Sequence, residues 1–181
     1  AFNYYSTATV GAFPEGEEVR PDGPVDQQKN GGEPGYYRPF PNPNLVKTEW
    51  GWEIDPIGFR ITLNRIYDRY HKPIFISENG LGAVDHFDEK GQIQDDYRID
   101  YMREHIKAML EAVNLDGIPL MGYTCWGCID LVSASTGEMK KRYGMIYVDK
   151  QNDGTGTLAR SKKDSYYWYK KVIETNGEDL D

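Results

Sequence analysis

A rhythm of strand-like and helix-like segments limits the fold of this chain more than any other feature. The first seven residues, Ala1-Phe2-Asn3-Tyr4-Tyr5-Ser6-Thr7, read as a strand. Asp55-Pro56 then opens a helix, because the acid can cap it and proline suits a first turn. Phe59, Leu63, Ile66, Tyr67 and Tyr70 recur at helical spacing, and His71-Lys72-Pro73 ends the run. Residues 74–77 form the next strand. From about Asp96 to Asn114, the residues Ile99, Met102, Ile106, Met109, Leu110 and Val113 make one apolar stripe, with charges opposite. Gly117 stops that helix, Leu120 to Cys125 makes a strand, and Met145 to Val148 makes another short one. A last helix runs from about Lys163 to Thr175 and is closed by Asn176-Gly177. Strands that alternate with helices predict a parallel α/β fold.

A closed eight-fold barrel of this kind takes about 250 residues. The 181 residues here supply only about three strand–helix pairs. Two architectures fit: a small open α/β domain, or the C-terminal part of a barrel whose earlier strands lie elsewhere. The opening strand, with no cap or leader before it, reads as the middle of a larger protein. Residues 11–46, rich in Pro, Gly, Asp and Glu, show no strand or helix period. They predict a long, poorly ordered loop over the mouth of the fold.

Glu78 stands out in this frame. Pro73-Ile74-Phe75-Ile76-Ser77-Glu78-Asn79-Gly80 carries a carboxylate to the end of a buried strand, and Asn79-Gly80 turns the chain away. A carboxylate at the C-terminal mouth of a parallel barrel suits catalysis. The plainer reading is a solvated strand end before an Asn-Gly turn. Composition removes other classes of function. The net charge of −8, with no basic stripe, excludes a general nucleic-acid binder. No apolar stretch approaches the roughly 20 residues that span a membrane, and no secretory signal opens the chain. Cys125 and Cys128 form a lone C-x-x-C with no second pair or His cluster to complete a zinc site. Two small buried thiols in a reducing cytoplasm are expected, with no metal and no cofactor. The aromatic content, Tyr 14 and Trp 4, suits sugar stacking and core packing equally well.

Several motifs then fall in one order: Asn3-Tyr4-Tyr5; Trp50-Gly51-Trp52-Glu53-Ile54-Asp55-Pro56; Ile76-Ser77-Glu78-Asn79-Gly80; and Tyr123-Thr124-Cys125-Trp126-Gly127-Cys128-Ile129-Asp130. Lys141-Arg142-Tyr143-Gly144, Tyr147-Val148-Asp149 and Ser165-Tyr166-Tyr167-Trp168-Tyr169-Lys170-Lys171 follow. Together they resemble the C-terminal portion of a family 1 glycoside hydrolase, a retaining β-glycosidase on a (β/α)8 TIM barrel. The resemblance covers nearly the whole chain, 1–181, apart from the long loop. It implies that strands 1–7, 74–77 and 120–125 are the sixth, seventh and eighth of the barrel.

The resemblance also implies roles. Glu78 is the nucleophile that forms a covalent glycosyl-enzyme, Tyr5 donates a hydrogen bond to it, and Asn3 contacts the same region. Trp126 resembles the floor under the sugar ring, a plain core tryptophan being the alternative. Trp52, better aligned than Trp50, resembles an aglycone-subsite residue, though either could staple the following helix. Where family members acting on unphosphorylated sugars carry a glutamate, seven positions after the floor tryptophan, this chain has Ser133, followed by Ala134. A carboxylate there would repel a sugar phosphate, whereas a hydroxyl can donate to one. With Lys140-Lys141-Arg142-Tyr143 downstream, the pattern resembles the 6-phospho-β-glucosidase branch. It implies that Ser133, Lys141 and Tyr143 grip a 6-phosphate through charge-assisted bonds, with Ser135 as a second candidate for the serine. Taken alone, the basic run reads as a solvated patch.

A retaining mechanism needs a second carboxyl group about 5–5.5 Å from the first. The family carries that acid/base in an Asn-Glu-Pro motif, which is absent from this sequence. Glu53 is the tempting substitute, but it has no motif support. The expectation is therefore a phosphorylated β-glucoside as substrate of the full-length parent, and a chain that is inactive alone. An incomplete barrel would expose the strand edge at residues 1–7, which predicts association with another copy or a partner. The alternative function is a non-catalytic α/β module that binds carbohydrate or phosphosugar.

Overall fold

The computed structural model describes residues 1–12, 32–33 and 35–181. The elements that position the site are three parallel strands: β1 (Phe2–Asn3), β4 (Ile74–Glu78) and β5 (Leu120–Tyr123). They lie in the order β1-β4-β5, with Asn3 opposite Glu78 and Ile76 opposite Tyr123. All three therefore end on the same side of the sheet. The parallel sense follows from the crossovers, since helix α1 (Pro56–Tyr70) lies between β1 and β4 and helix α2 (Asp96–Asn114) between β4 and β5. Gly122 is needed in β5, because a Cβ there would stand 2.8 Å from the ring of Phe75.

Two apolar cores carry this layer. Phe59 and Leu63 of α1 are fully buried with Ile74, Ile76, Ala112 and Ile118 beneath the sheet. Each large side chain so buried contributes about 1.5–3 kcal/mol. Ile99, Met102 and Ile106 of α2 meet Trp168 and Val172 of helix α3 (Asp164–Glu174) in the second core. Tyr70, read as part of the α1 stripe, is 60% exposed at the last residue of the helix. The α2 stripe is also not purely apolar: Arg98, Tyr101 and His105 are buried on it.

Three further expectations are corrected. The strand over residues 1–7 is regular only at Phe2–Asn3, after which Tyr4 and Tyr5 are held by side chains of neighbouring segments. Met145 to Val148 does contain a strand, β6 (Ile146–Val148), but it lies outside the parallel sheet. It pairs antiparallel with β7 (Arg160–Lys162). The segment read as a loop without period, residues 11–46, contains the end of β2 (Thr9–Ala12) and all of β3 (Tyr37–Phe40), which pair antiparallel. Its residues 13–31 and 34, and with them the expected disorder of the loop, lie outside the described residues. Among the described residues no helix is long and apolar enough to cross a membrane.

Candidate active site

Glu78 is the last residue of β4, half-buried at the C-terminal end of the sheet. Tyr5, just beyond β1, donates its hydroxyl to Glu78 Oε2 at 2.7 Å. Burial, and then the hydrogen bond and charge of Glu78, push the Tyr5 phenol far above its ordinary value. It remains a proton donor, and the carboxylate keeps one oxygen tied and the other turned away from that bond. Asn3, exposed, lies opposite Glu78 in the register, and its amide oxygen accepts from the Ser77 hydroxyl at 2.7 Å.

The next turn brings in Trp126. Its backbone N–H donates to the Asn79 carbonyl at 2.8 Å. Gly80 lies so close that a Cβ would stand 3.1 Å from the Trp126 oxygen. The half-buried Trp126 thus starts its side chain beside the strand end that bears Glu78.

Ser133, Ser135, Lys141 and Tyr143 are all buried and converge. The two serine hydroxyls are 3.2 Å apart, and Lys141 Nζ donates to Ser135 at 3.2 Å. Both serines that the sequence left as alternatives are therefore in the same cluster. The Lys141 ammonium also stands 4.2 Å from the Trp52 ring centre, 5.3 Å from Trp50 and 5.8 Å from Tyr143. Aromatic faces stabilise a desolvated cation there. Gly82 makes room for it, since a Cβ would stand 2.9 Å from both Lys141 and Tyr143. Trp52 packs edge-on against Tyr5 at 5.5 Å, so its ring joins this cluster to the Glu78 pair.

The basic run is not a solvated patch. Lys140 is exposed, but Lys141 and Arg142 are 1% and 4% exposed. Arg142 turns away from the cluster to Asp130 at 3.0 Å and to the Val148 carbonyl at 2.9 Å. It belongs to a buried network that sequence reasoning missed, three basic side chains (Arg98, Arg142, Lys163) among three carboxylates (Asp85, Asp95, Asp130). Arg98 bonds the carbonyls of Leu81, Arg142 and Tyr143, and so ties the turn after Glu78 to the loop carrying Lys141. Its guanidinium is held charged by Asp85 and Asp95 against the effect of burial. The one local signal was Asp95 three residues before Arg98 at a helix start, a spacing that also occurs on solvated surfaces.

Two further expectations are settled by burial. Cys125 is half-buried and Cys128 exposed, both free thiols, so only the first approaches the buried state expected of the pair. Glu53 is buried at 2% exposure, where Oε1 accepts from the Asn42 N–H at 3.1 Å and Lys47 stands 3.9 Å away. Its carboxylate meets Asn42 and Lys47, and its backbone bridges Thr7 and Lys47.

The sequence matches the Glycosyl hydrolase family 1 over residues 1–178. It is 66% identical over 140 residues to the 6-phospho-beta-glucosidase AscB of Escherichia coli, covering 77% of this chain and 29% of that protein. It is 53% identical over 179 residues to the aryl-phospho-beta-D-glucosidase BglA of Bacillus subtilis, covering 99% and 36%. The fold superposes on the family 1 β-glucosidase of Thermotoga maritima with a TM-score of 0.78 at 33% identity, covering 98% of this chain and 34% of that one. The chain thus spans about a third of the length of the curated relatives it matches. Its α/β layer, the carboxylate at the strand end and these similarities agree: the chain belongs to glycosyl hydrolase family 1.

Proposed function

We propose that this chain is the C-terminal part of a 6-phospho-β-glucosidase that hydrolyses its substrate with retention. The observation that carries the reading is the pairing of Tyr5 with Glu78 at 2.7 Å beside the buried Ser133–Ser135–Lys141–Tyr143 cluster. A catalytic nucleophile uses the first feature, a phenol that orients one carboxylate oxygen, whereas a module that only binds phosphosugar has no need of it. The names of the relatives AscB and BglA support the phosphorylated substrate. On this reading β1, β4 and β5 are strands six to eight of a (β/α)8 barrel.

The free oxygen of Glu78 attacks the anomeric carbon as the bond to the aglycone oxygen breaks, and that oxygen takes a proton from an acid. The glycosyl-enzyme ester is then cleaved by water, whose proton returns to the same acid, and Glu78 leaves as carboxylate. Tyr5 orients Glu78 for attack. Trp126 forms the floor beneath the sugar, Asn3 contacts its hydroxyls and Trp52 lies on the aglycone side. Ser133, Ser135, Lys141 and Tyr143 hold the 6-phosphate, whose charge the desolvated ammonium meets at low effective dielectric. The acid/base comes from the remainder of the protein. A phosphorylated sugar is charged and does not diffuse through a bilayer, which supports a cytoplasmic site for the reaction.

The test uses the full-length enzyme and aryl β-glucosides with and without the 6-phosphate. Glu78→Gln is expected to lower turnover by ~10³-fold or more. Lys141→Met is expected to raise KM for the phosphorylated substrate by about 10- to 100-fold, the range of one or two charge-assisted bonds. Retained hydrolysis in Glu78→Gln, or equal turnover of the two substrates by the unaltered enzyme, would overturn the reading.

A further inference from the structure

The Glu78–Tyr5 pair is held from behind by a hydrogen-bond chain whose helical member, Tyr101, belongs to none of the motifs, and its polarity is fixed by counting donors and acceptors. Asn79 is fully buried. Its side-chain nitrogen lies 2.8 Å from the Tyr4 carbonyl, which can only accept, so the NH2 group faces Tyr4. The second hydrogen of that group points at the Tyr101 hydroxyl, 3.0 Å away. Having accepted there, Tyr101 spends its one hydrogen on the Tyr5 carbonyl at 3.1 Å. Asn79 Oδ1 is left to accept from the Tyr123 hydroxyl at 2.8 Å.

The bonds of this chain join four segments: Tyr4 and Tyr5 follow β1, Asn79 follows Glu78, Tyr101 lies on α2 and Tyr123 ends β5. The Tyr101 ring is itself pinned, 3% exposed and stacked on His105 at a centroid distance of 4.1 Å. Burial pushes its phenol above the ordinary value, so it stays protonated and keeps donating. We infer that Tyr101 is a positioning residue of the active site, which through the Tyr5 carbonyl sets the Tyr5 hydroxyl on Glu78. The inference rests on the catalytic reading of Glu78 given above. Small displacements of such a pair are costly, since about 1 Å of misplacement can lower a rate ~10²-fold.

The test is a double-mutant cycle in the full-length enzyme with Tyr101→Phe and Tyr5→Phe, assayed well below the melting midpoint of each variant. Tyr101→Phe removes one hydroxyl and leaves the ring to stack on His105. It is expected to lower kcat by about 10-fold with KM changed less than about 2-fold, because the sugar and phosphate contacts are untouched. In the Tyr5→Phe background the same substitution is expected to cost less than about 2-fold, since its route to Glu78 is already gone. An undiminished effect in that background, an effect on KM instead of kcat, or none on kcat would overturn the inference. Failure of the catalytic reading shows differently: Glu78→Gln would then retain activity, whatever Tyr101→Phe does.

Discussion

At the residue scale, burial decides what each polar side chain can do. His105 shows this most directly. Burial holds its imidazole at about 4, below the ordinary 6.5, while Nδ1 lies 2.8 Å from the Tyr101 carbonyl. As pH falls through 6.5, the unfolded chain takes up this proton first. The stability contributed by neutral His105 is thus intact above about pH 6.5 and is lost between there and about 4, by up to about 3 kcal/mol. Replacing His105 with Phe should flatten the fall in melting midpoint between pH 7 and 4.5. An equal fall in both proteins would count against this account. Glu78 was visible in the sequence because the apolar strand before it and the Asn79-Gly80 turn after it are its immediate neighbours, whereas the Lys141 group came only with the family resemblance. Arg98 and Lys163 were not visible, since a lone basic residue near a helix start reads as solvated until its carboxylates arrive from distant segments.

At the scale of elements, helix α1 was legible almost to its first residue, because capping is local chemistry. Asp55 Oδ1 accepts from the Gly58 N–H at 2.8 Å, and Pro56 fills the first turn. The same carboxylate also accepts from Thr7 at 3.0 Å, which fastens the helix start to the segment after β1. Asp55→Ala should therefore cost about 1–2 kcal/mol, read from urea denaturation. Gly58→Ala should also destabilise, although Ala favours helices by about 1 kcal/mol over Gly. Its Cβ would stand 2.3 Å from Asp55 Oδ2 and displace the cap. A gain in stability from Gly58→Ala would refute the proposed role of this contact. Strand β6 went the other way. An apolar run does not reveal its partner, and only the approach of Arg160–Lys162 set it antiparallel and outside the main sheet.

At the scale of the molecule, the question is what a chain spanning about a third of its family 1 relatives can do. A retaining glycosidase needs two carboxyl groups about 5–5.5 Å apart, and this sequence holds no Asn-Glu-Pro. Residues 1–181 prepared alone should show no turnover of an aryl 6-phospho-β-glucoside above background. Turnover typical of a full enzyme would mean that a second carboxylate of this chain serves as acid. The same preparation should self-associate in sedimentation, because Ile57 and Ile61 of α1 are 71% and 46% exposed and β1 is an edge strand. The sequence by itself determined the parallel α/β class, the helices and the carboxylate at the strand end. These rest on local periodicity, capping and short motifs, whose physics acts over a few residues. Tertiary structure alone decided that Lys141 is a caged cation, that Arg142 turns from it into a buried ion network, and that Tyr101 reaches the Tyr5 carbonyl. Those are contacts between segments tens of residues apart, and desolvation fixes their energies only once the segments meet.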